Sequence, residues 1–136
     1  EEYHDSEKYE IRHWDWDRPG NIRDYITTIN LIRHSNPCLQ LFTNLRFYQA
    51  DNEHVLFYGK MTPDQSNILL CVVNMDPYTT HEVRLTIPID EFGIGEHDTY
   101  QLHELIQDYR HQVVGTEYWI RQDPQKEPTA DFDYFL

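Results

Sequence analysis

The sequence predicts a mainly β protein, a β-sandwich preceded by one helix, and three observations carry that expectation. Aromatic residues make up 14% of the chain, with ten Tyr, six Phe and three Trp, and large rings suit the half-buried surface of a pleated sheet. From about Leu45 onward, short β-type runs alternate with turn signals at a spacing of roughly 8–12 residues, the pattern of a sandwich. A single segment, residues 21–34, carries helical periodicity instead.

Residues 1–20 are dense in charge and aromatics, and their apolar positions follow neither a 3.6 nor a 2.0 period. They read as a loop, with Trp14-Asp15-Trp16-Asp17 near its end. In the helix that follows, Asn21 serves as N-cap after Pro19-Gly20. Ile22, Tyr25, Ile26, Ile29 and Ile32 form one apolar stripe. Arg33 and His34 suit the last turn, and Asn36-Pro37 ends it, because proline biases the residue before it away from helical geometry.

Residues 45–49 and 54–60 are the next expected strands, joined through Ala50-Asp51-Asn52. Residues 68–75 form an almost unbroken apolar run, which predicts a central strand buried on both faces. Val83, Leu85, Ile87 and Ile89 alternate with Arg84, Thr86 and Pro88, so that strand has one wet face. Pro88 marks an edge or a strand end. Residues 92–98, with Gly93 and Gly95, are a turn. Strands follow near 100–105, 118–120 and 132–136, for seven or eight in all.

The 136 residues suffice for one domain with a hydrophobic core. The net charge of −13 repels phosphate backbones and anionic lipid, which argues against nucleic acid and membrane surface as partners. The longest apolar run is strand length, well short of a membrane span. Cys38 and Cys71 lack metal-type spacing and sit beside apolar residues. They read as reduced, packed thiols in a cytoplasmic protein. The charged start at Glu1 suggests a segment of a longer chain.

Motifs of catalysis are missing. Neither GxSxG, a P-loop nor GxGxxG occurs, and the eight His residues form no HxH or HExxH spacing. No carboxylate pair is singled out among 24 acidic residues, so no catalytic residue, metal or cofactor is expected. The Trp14–Asp17 stretch is the best candidate for recognition. Trp14 and Trp16 can stack on a sugar ring, and the carboxylates can accept bonds from its hydroxyls. The competing reading is that the two rings anchor the loop to a core.

At Ser6-Glu7-Lys8-Tyr9-Glu10-Ile11, then Trp14-Asp15-Trp16-Asp17, the chain resembles the end of the catalytic barrel of the α-amylase superfamily. It is most similar to the bacterial α-1,4-glucan:maltose-1-phosphate maltosyltransferases. Leu45-Arg46-Phe47-Tyr48, Val55–Lys60 and Val72-Val73-Asn74-Met75-Asp76-Pro77 extend the likeness over essentially the whole chain. Cys38 and Met75 depart from it, where Ala and Leu are usual, and both changes keep an apolar position.

The resemblance implies that residues 1–40 are the tail of the catalytic barrel, its last active-site loop and eighth helix. Residues 41–136 would be the C-terminal β-sandwich. It implies a parent enzyme that moves maltosyl from maltose 1-phosphate to an α-1,4-glucan with retention and release of phosphate. Its nucleophile and acid would lie on barrel strands absent here, since a barrel takes about 200 residues or more. Lys8 and Tyr9 match a pair placed near the donor phosphate. The expected partners are α-glucan, maltose 1-phosphate and the missing barrel, with a homo-oligomer through the helix stripe as a further expectation. The alternatives are an independent glucan-binding module, using Tyr100, Tyr109, Tyr118 and Trp119, or the C-terminal domain of another α-amylase-family hydrolase.

Overall fold

The computed structural model describes residues 13–124 and the backbone of a last strand, Phe132–Phe135. One helix, α1 (Arg23–Ser35), is followed by a 3₁₀ turn at Pro37–Gln40, the hook. The strands are β1 (Leu45–Phe47), β2 (Val55–Met61), β3 (Ile68–Asn74), β4 (His81–Thr86), β5 (Thr99–Glu104), β6 (Tyr109–Val114), β7 (Glu117–Gln122) and β8 (Phe132–Phe135). They form a six-stranded sheet in the order β1-β2-β3-β8-β5-β6 and a two-stranded sheet of β4 and β7. Every pairing is antiparallel.

The principal core lies between the two sheets. Val55, Phe57, Leu70, Val72, Leu102 and Val113 of the large sheet meet Val83 and Leu85 of the small one, with Ile87 and Ile89 closing one end. Each such side chain contributes about 1.5–3 kcal/mol by leaving water. The alternation expected along β4 holds: Val83 and Leu85 are buried while Glu82, Arg84 and Thr86 are exposed.

The uninterrupted apolar run of β3 has a structural cause. Leu70 and Val72 face the small sheet, and successive strand residues point to opposite faces. Leu69 and Cys71 therefore face the other way, where they pack against Cys38 and Leu39 of the hook. The central strand is thus covered on both sides, by a sheet on one and by the helix end on the other.

Three asparagines hold the hook in place. Asn36 Nδ2 donates to Ile32 O at 2.8 Å, and its Oδ1 accepts from Asn67 Nδ2 at 2.9 Å. Asn67 Oδ1 in turn accepts the Cys38 N–H at 3.1 Å. Asn44 Nδ2 donates to both Cys38 O and Met61 O at 2.8 Å. Cys38 and Cys71 are free and buried, and burial pushes the Cys71 thiol up to about 12.

Helix α1 begins two residues later than the sequence pattern suggests. Asn21 still closes its start: its Oδ1 accepts the Arg23 N–H at 3.1 Å and its Nδ2 donates to Arg18 O at 2.8 Å. The stripe divides. Ile32 is buried, Tyr25 and Ile29 are half-buried, and Ile22 and Ile26 are exposed.

Three local features depart from the sequence pattern. Strand β1 stops at Phe47 because the chain changes sheets there. Tyr48 N–H still bonds Phe57 O, but Gln49 O accepts the Thr86 N–H and Ala50 bridges Leu85. Strand β6 was not expected; it is an edge strand exposed at Tyr109, Arg110, His111 and Gln112, so no apolar alternation marks it. The hook has no periodicity to announce it.

Gly59 sits where strand, ring and core meet. A Cβ there would lie 2.7 Å from Tyr48 Cε2, 3.0 Å from Leu70 Cδ2 and 3.3 Å from Leu69 O. The Tyr48 ring cannot swing aside freely, because its hydroxyl donates to Glu91 Oε2 at 3.2 Å and its face packs 5.5 Å from Phe57. Gly59→Ala is expected to cost about 1–3 kcal/mol by overpacking, read from urea unfolding.

Candidate functional site

The loop before α1 presents the two tryptophans singled out in the sequence. Trp14 is 57% and Trp16 69% exposed, so neither ring is a core anchor. The loop is ordered locally by its acids. Asp15 Oδ1 accepts the Asp17 N–H at 3.0 Å, and Asp17 Oδ1 pairs with Arg23 Nη1 at 3.1 Å. This second bond ties the loop to the first turn of α1. The geometry brings two aromatic faces and two carboxylates to one exposed turn, a set that can stack on a pyranose and accept its hydroxyls. Lys8 and Tyr9 lie outside the described residues.

The four aromatics weighed for a binding row separate in the fold. Tyr100 and Tyr118 pack against the core, and the Tyr100 hydroxyl donates to Gly115 O at 2.8 Å. Tyr109 sits at the sheet edge against His111, with ring centres 4.7 Å apart. Trp119 alone of the four turns fully outward.

The best-ordered acids serve the fold. Glu104, 1% exposed, closes the β5–β6 turn: its carboxylate accepts the Ile106 N–H at 2.9 Å and the Gln107 N–H at 2.6 Å. Asp76 accepts the Tyr78 N–H at 2.9 Å and lies 3.2 Å from His81 Nε2. These bonds, the backbone one foremost, hold its carboxyl down to about 2. Asn52 Oδ1 accepts the His54 N–H, which turns its Nδ2 toward His81 Nδ1 at 3.2 Å. His81 Nδ1 is then an acceptor, and Nε2–H donates to Asp76. Among the described residues no group of three His, Cys, Asp or Glu side chains could hold a metal ion. No helix among them is long and apolar enough to cross a membrane.

Sequence reasoning missed an apolar face beside the hook. Register places Phe47 opposite Tyr58 and Leu45 opposite Lys60, on the side of the large sheet where Leu69 and Cys71 meet the hook. Phe47 is 66% exposed and Phe42, which leads into β1, is 92% exposed; Leu41 and Leu45 are partly open too. Lys60 Nζ holds Leu41 O at 2.7 Å, so this approach is fixed to the sheet. Leu41, Phe42, Leu45 and Phe47 are thus exposed along the stretch that runs from the hook into β1, and Ile22 and Ile26 are exposed at the start of α1. The signal was present as the run Leu39-Gln40-Leu41-Phe42, but no period assigns it a face.

Residues 47–132 match the family described as GLGE, C-terminal. The chain is 44% identical to an alpha-1,4-glucan:maltose-1-phosphate maltosyltransferase of Myxococcus xanthus, over 93% of this chain and 19% of the relative. It is 44% identical to one of Rhodospirillum rubrum, over 97% of this chain and 19% of that protein. Over 57% of the chain it is 53% identical to one of Cereibacter sphaeroides, of which it covers 13%. The chain therefore spans about a fifth or less of the length of these relatives. The match covers strands of both sheets and the whole inter-sheet core, and on that ground the chain belongs to the GLGE C-terminal family.

Proposed function

We propose that this chain is the non-catalytic C-terminal β domain, with its preceding helix, of a retaining maltosyltransferase that extends α-1,4-glucan from maltose 1-phosphate. The observation that carries the reading is 44% identity over nearly the whole chain to enzymes of that name, five times its length. Residues 1–40 would belong to the tail of the catalytic barrel and residues 41–136 to the sandwich. The chemistry of retention needs two carboxyl groups about 5–5.5 Å apart across the scissile bond. In this reading both come from the region that precedes this chain in the longer enzyme.

The exposed hook side is then the surface that seats against the catalytic region. Leu41, Phe42, Leu45 and Phe47, exposed within one short stretch beside the hook, mark an interaction surface rather than a solvated one. In the same reading Lys8 and Tyr9 serve the donor phosphate, as an ammonium and a phenol both donate hydrogen bonds to phosphate oxygens. Trp14 and Trp16 border the sugar path. The two free thiols suit a reducing compartment and support the reading of a cytoplasmic enzyme.

The test is a comparison of contexts. Phe42→Asp combined with Phe47→Asp is expected to leave the stability of the isolated chain within about 0.5 kcal/mol, since both rings are exposed. In the longer enzyme the same pair is expected to lower the melting temperature and the soluble yield, because two charges would be buried at the seam. Equal behaviour in both contexts would sink the proposed docking face.

A further inference from the structure

The outer face of the small sheet carries one large apolar ring in a polar setting. Trp119 is 62% exposed. Register sets Arg84 opposite it on β4, and Glu82 opposite Arg121 one pair further along. The Arg84 guanidinium carbon lies 5.9 Å from the indole centre. Its Nη1 pairs with Glu117 at 3.2 Å, and its Nε lies 3.6 Å from Asp51. Arg84 N–H also donates to Asp51 Oδ1 at 2.7 Å. The guanidinium is therefore held from two sides over the indole ring.

We propose that Trp119 is the platform of a surface site for a neutral polyhydroxylated ligand, an α-1,4-glucan chain; the choice of sugar rests on the function proposed above. The neighbourhood of the ring favours that ligand class. An apolar protein surface seated on Trp119 would have to desolvate Arg84, Glu117, Asp51, Glu82 and Arg121 together, and buried charges are costly unless fully paired. A polyanion is disfavoured by three acids against two arginines at the site and by the overall charge of −13. A pyranose meets both demands. Its C–H face lies on the part of the indole that Arg84 leaves exposed, and its rim hydroxyls donate to Glu117 and Asp51 and accept from Arg84. The charges stay wet, and the ring alone loses water.

The site is distinct from the Trp14–Asp17 loop, and the test uses that. The three tryptophans give three indole N–H signals in an amide correlation spectrum of the full chain, and Trp119→Phe assigns one of them. Titration with maltoheptaose is expected to move the Trp119 signal saturably, with a dissociation constant on the order of 1 mM, as suits a single platform. Cellohexaose is expected to move it at least threefold less at equal concentration. Trp119→Ala should abolish the saturable response while the remaining spectrum keeps its dispersion. If that variant fails to fold, the unaltered chain decides. A Trp119 signal that stays fixed at about 10 mM maltoheptaose overturns the proposal. So does a shift confined to the Trp14 and Trp16 signals, which would leave the assignment as a maltosyltransferase domain standing. Response to both sugars alike would overturn the choice of α-glucan.

Discussion

Asn67→Ala is expected to destabilise the chain by about 2–4 kcal/mol and to loosen the hook selectively. The substitution strips Cys38 N–H of its acceptor and Asn36 Oδ1 of its donor. Cys38 is fully buried and Asn36 nearly so, and each buried polar group left unpaired costs about 1–3 kcal/mol. The turn that holds Asn67 should survive, because its backbone bonds run to Thr62 and do not involve the side chain: Thr62 N–H donates to Asn67 O, and Asn67 N–H to Thr62 Oγ1. Two readouts separate a local release from global loss. Urea unfolding gives the total. The rate at which a thiol reagent modifies Cys38 in native buffer should rise more than tenfold, since an opening that costs 1.4 kcal/mol less is ten times more populated. Asn67→Asp keeps an acceptor for Cys38 but faces Asn36 Oδ1 with a second oxygen, so it should fall between.

Phe57→Ala is expected to cost more, about 3–5 kcal/mol. Phe57 is 2% exposed, pairs in register with Val72, and packs its ring against Tyr48. Removing it opens a cavity in the middle of the inter-sheet core, where both sheets are fixed and collapse is limited. Against a typical total stability of 5–15 kcal/mol this is a large share. Phe47→Ala supplies the contrast. That ring is exposed on the opposite side of the same sheet, and its loss from the isolated chain should register below about 0.5 kcal/mol. The difference between two phenylalanines ten residues apart measures how sharply the fold separates its core from its docking face.

The parts of this fold that can be read from sequence are those whose burial has a period. Strand β3 shows as a continuous run because it is covered twice, and β4 shows as an alternation because it is covered once. Helix α1 shows through its stripe, although Ile22 and Ile26 of that stripe are exposed among the described residues. Strand β6 does not show, because an exposed edge strand has no apolar face to alternate. The hook does not show either, since its order comes from Asn36, Asn44 and Asn67, and bonds from Asn67 and Asn44 join segments 17 to 31 residues apart.

The candidate sites divide on the same line. Trp14 and Trp16 were identifiable as candidates because their rings alternate with carboxylates, but only the structure shows both rings exposed rather than anchored in the core. Trp119 was not separable from Tyr100 and Tyr118, because two faces of a strand are equivalent until the register is known. Once β4 and β7 pair, Tyr118 falls opposite Leu85 and turns inward, and Trp119 falls opposite Arg84 and turns outward. The face proposed for docking needed the same information, as Phe47 and Phe57 look alike in sequence and differ only by the side of the sheet they take.

In the function proposed above, this chain carries the C-terminal domain of a maltosyltransferase and none of its catalytic chemistry. Incubating the isolated chain with maltose 1-phosphate and maltohexaose, and following inorganic phosphate, tests it most directly. The expected result is no phosphate above the buffer rate and no lengthening of the maltohexaose. Phosphate release that scales with the amount of chain and disappears on heat denaturation would contradict it.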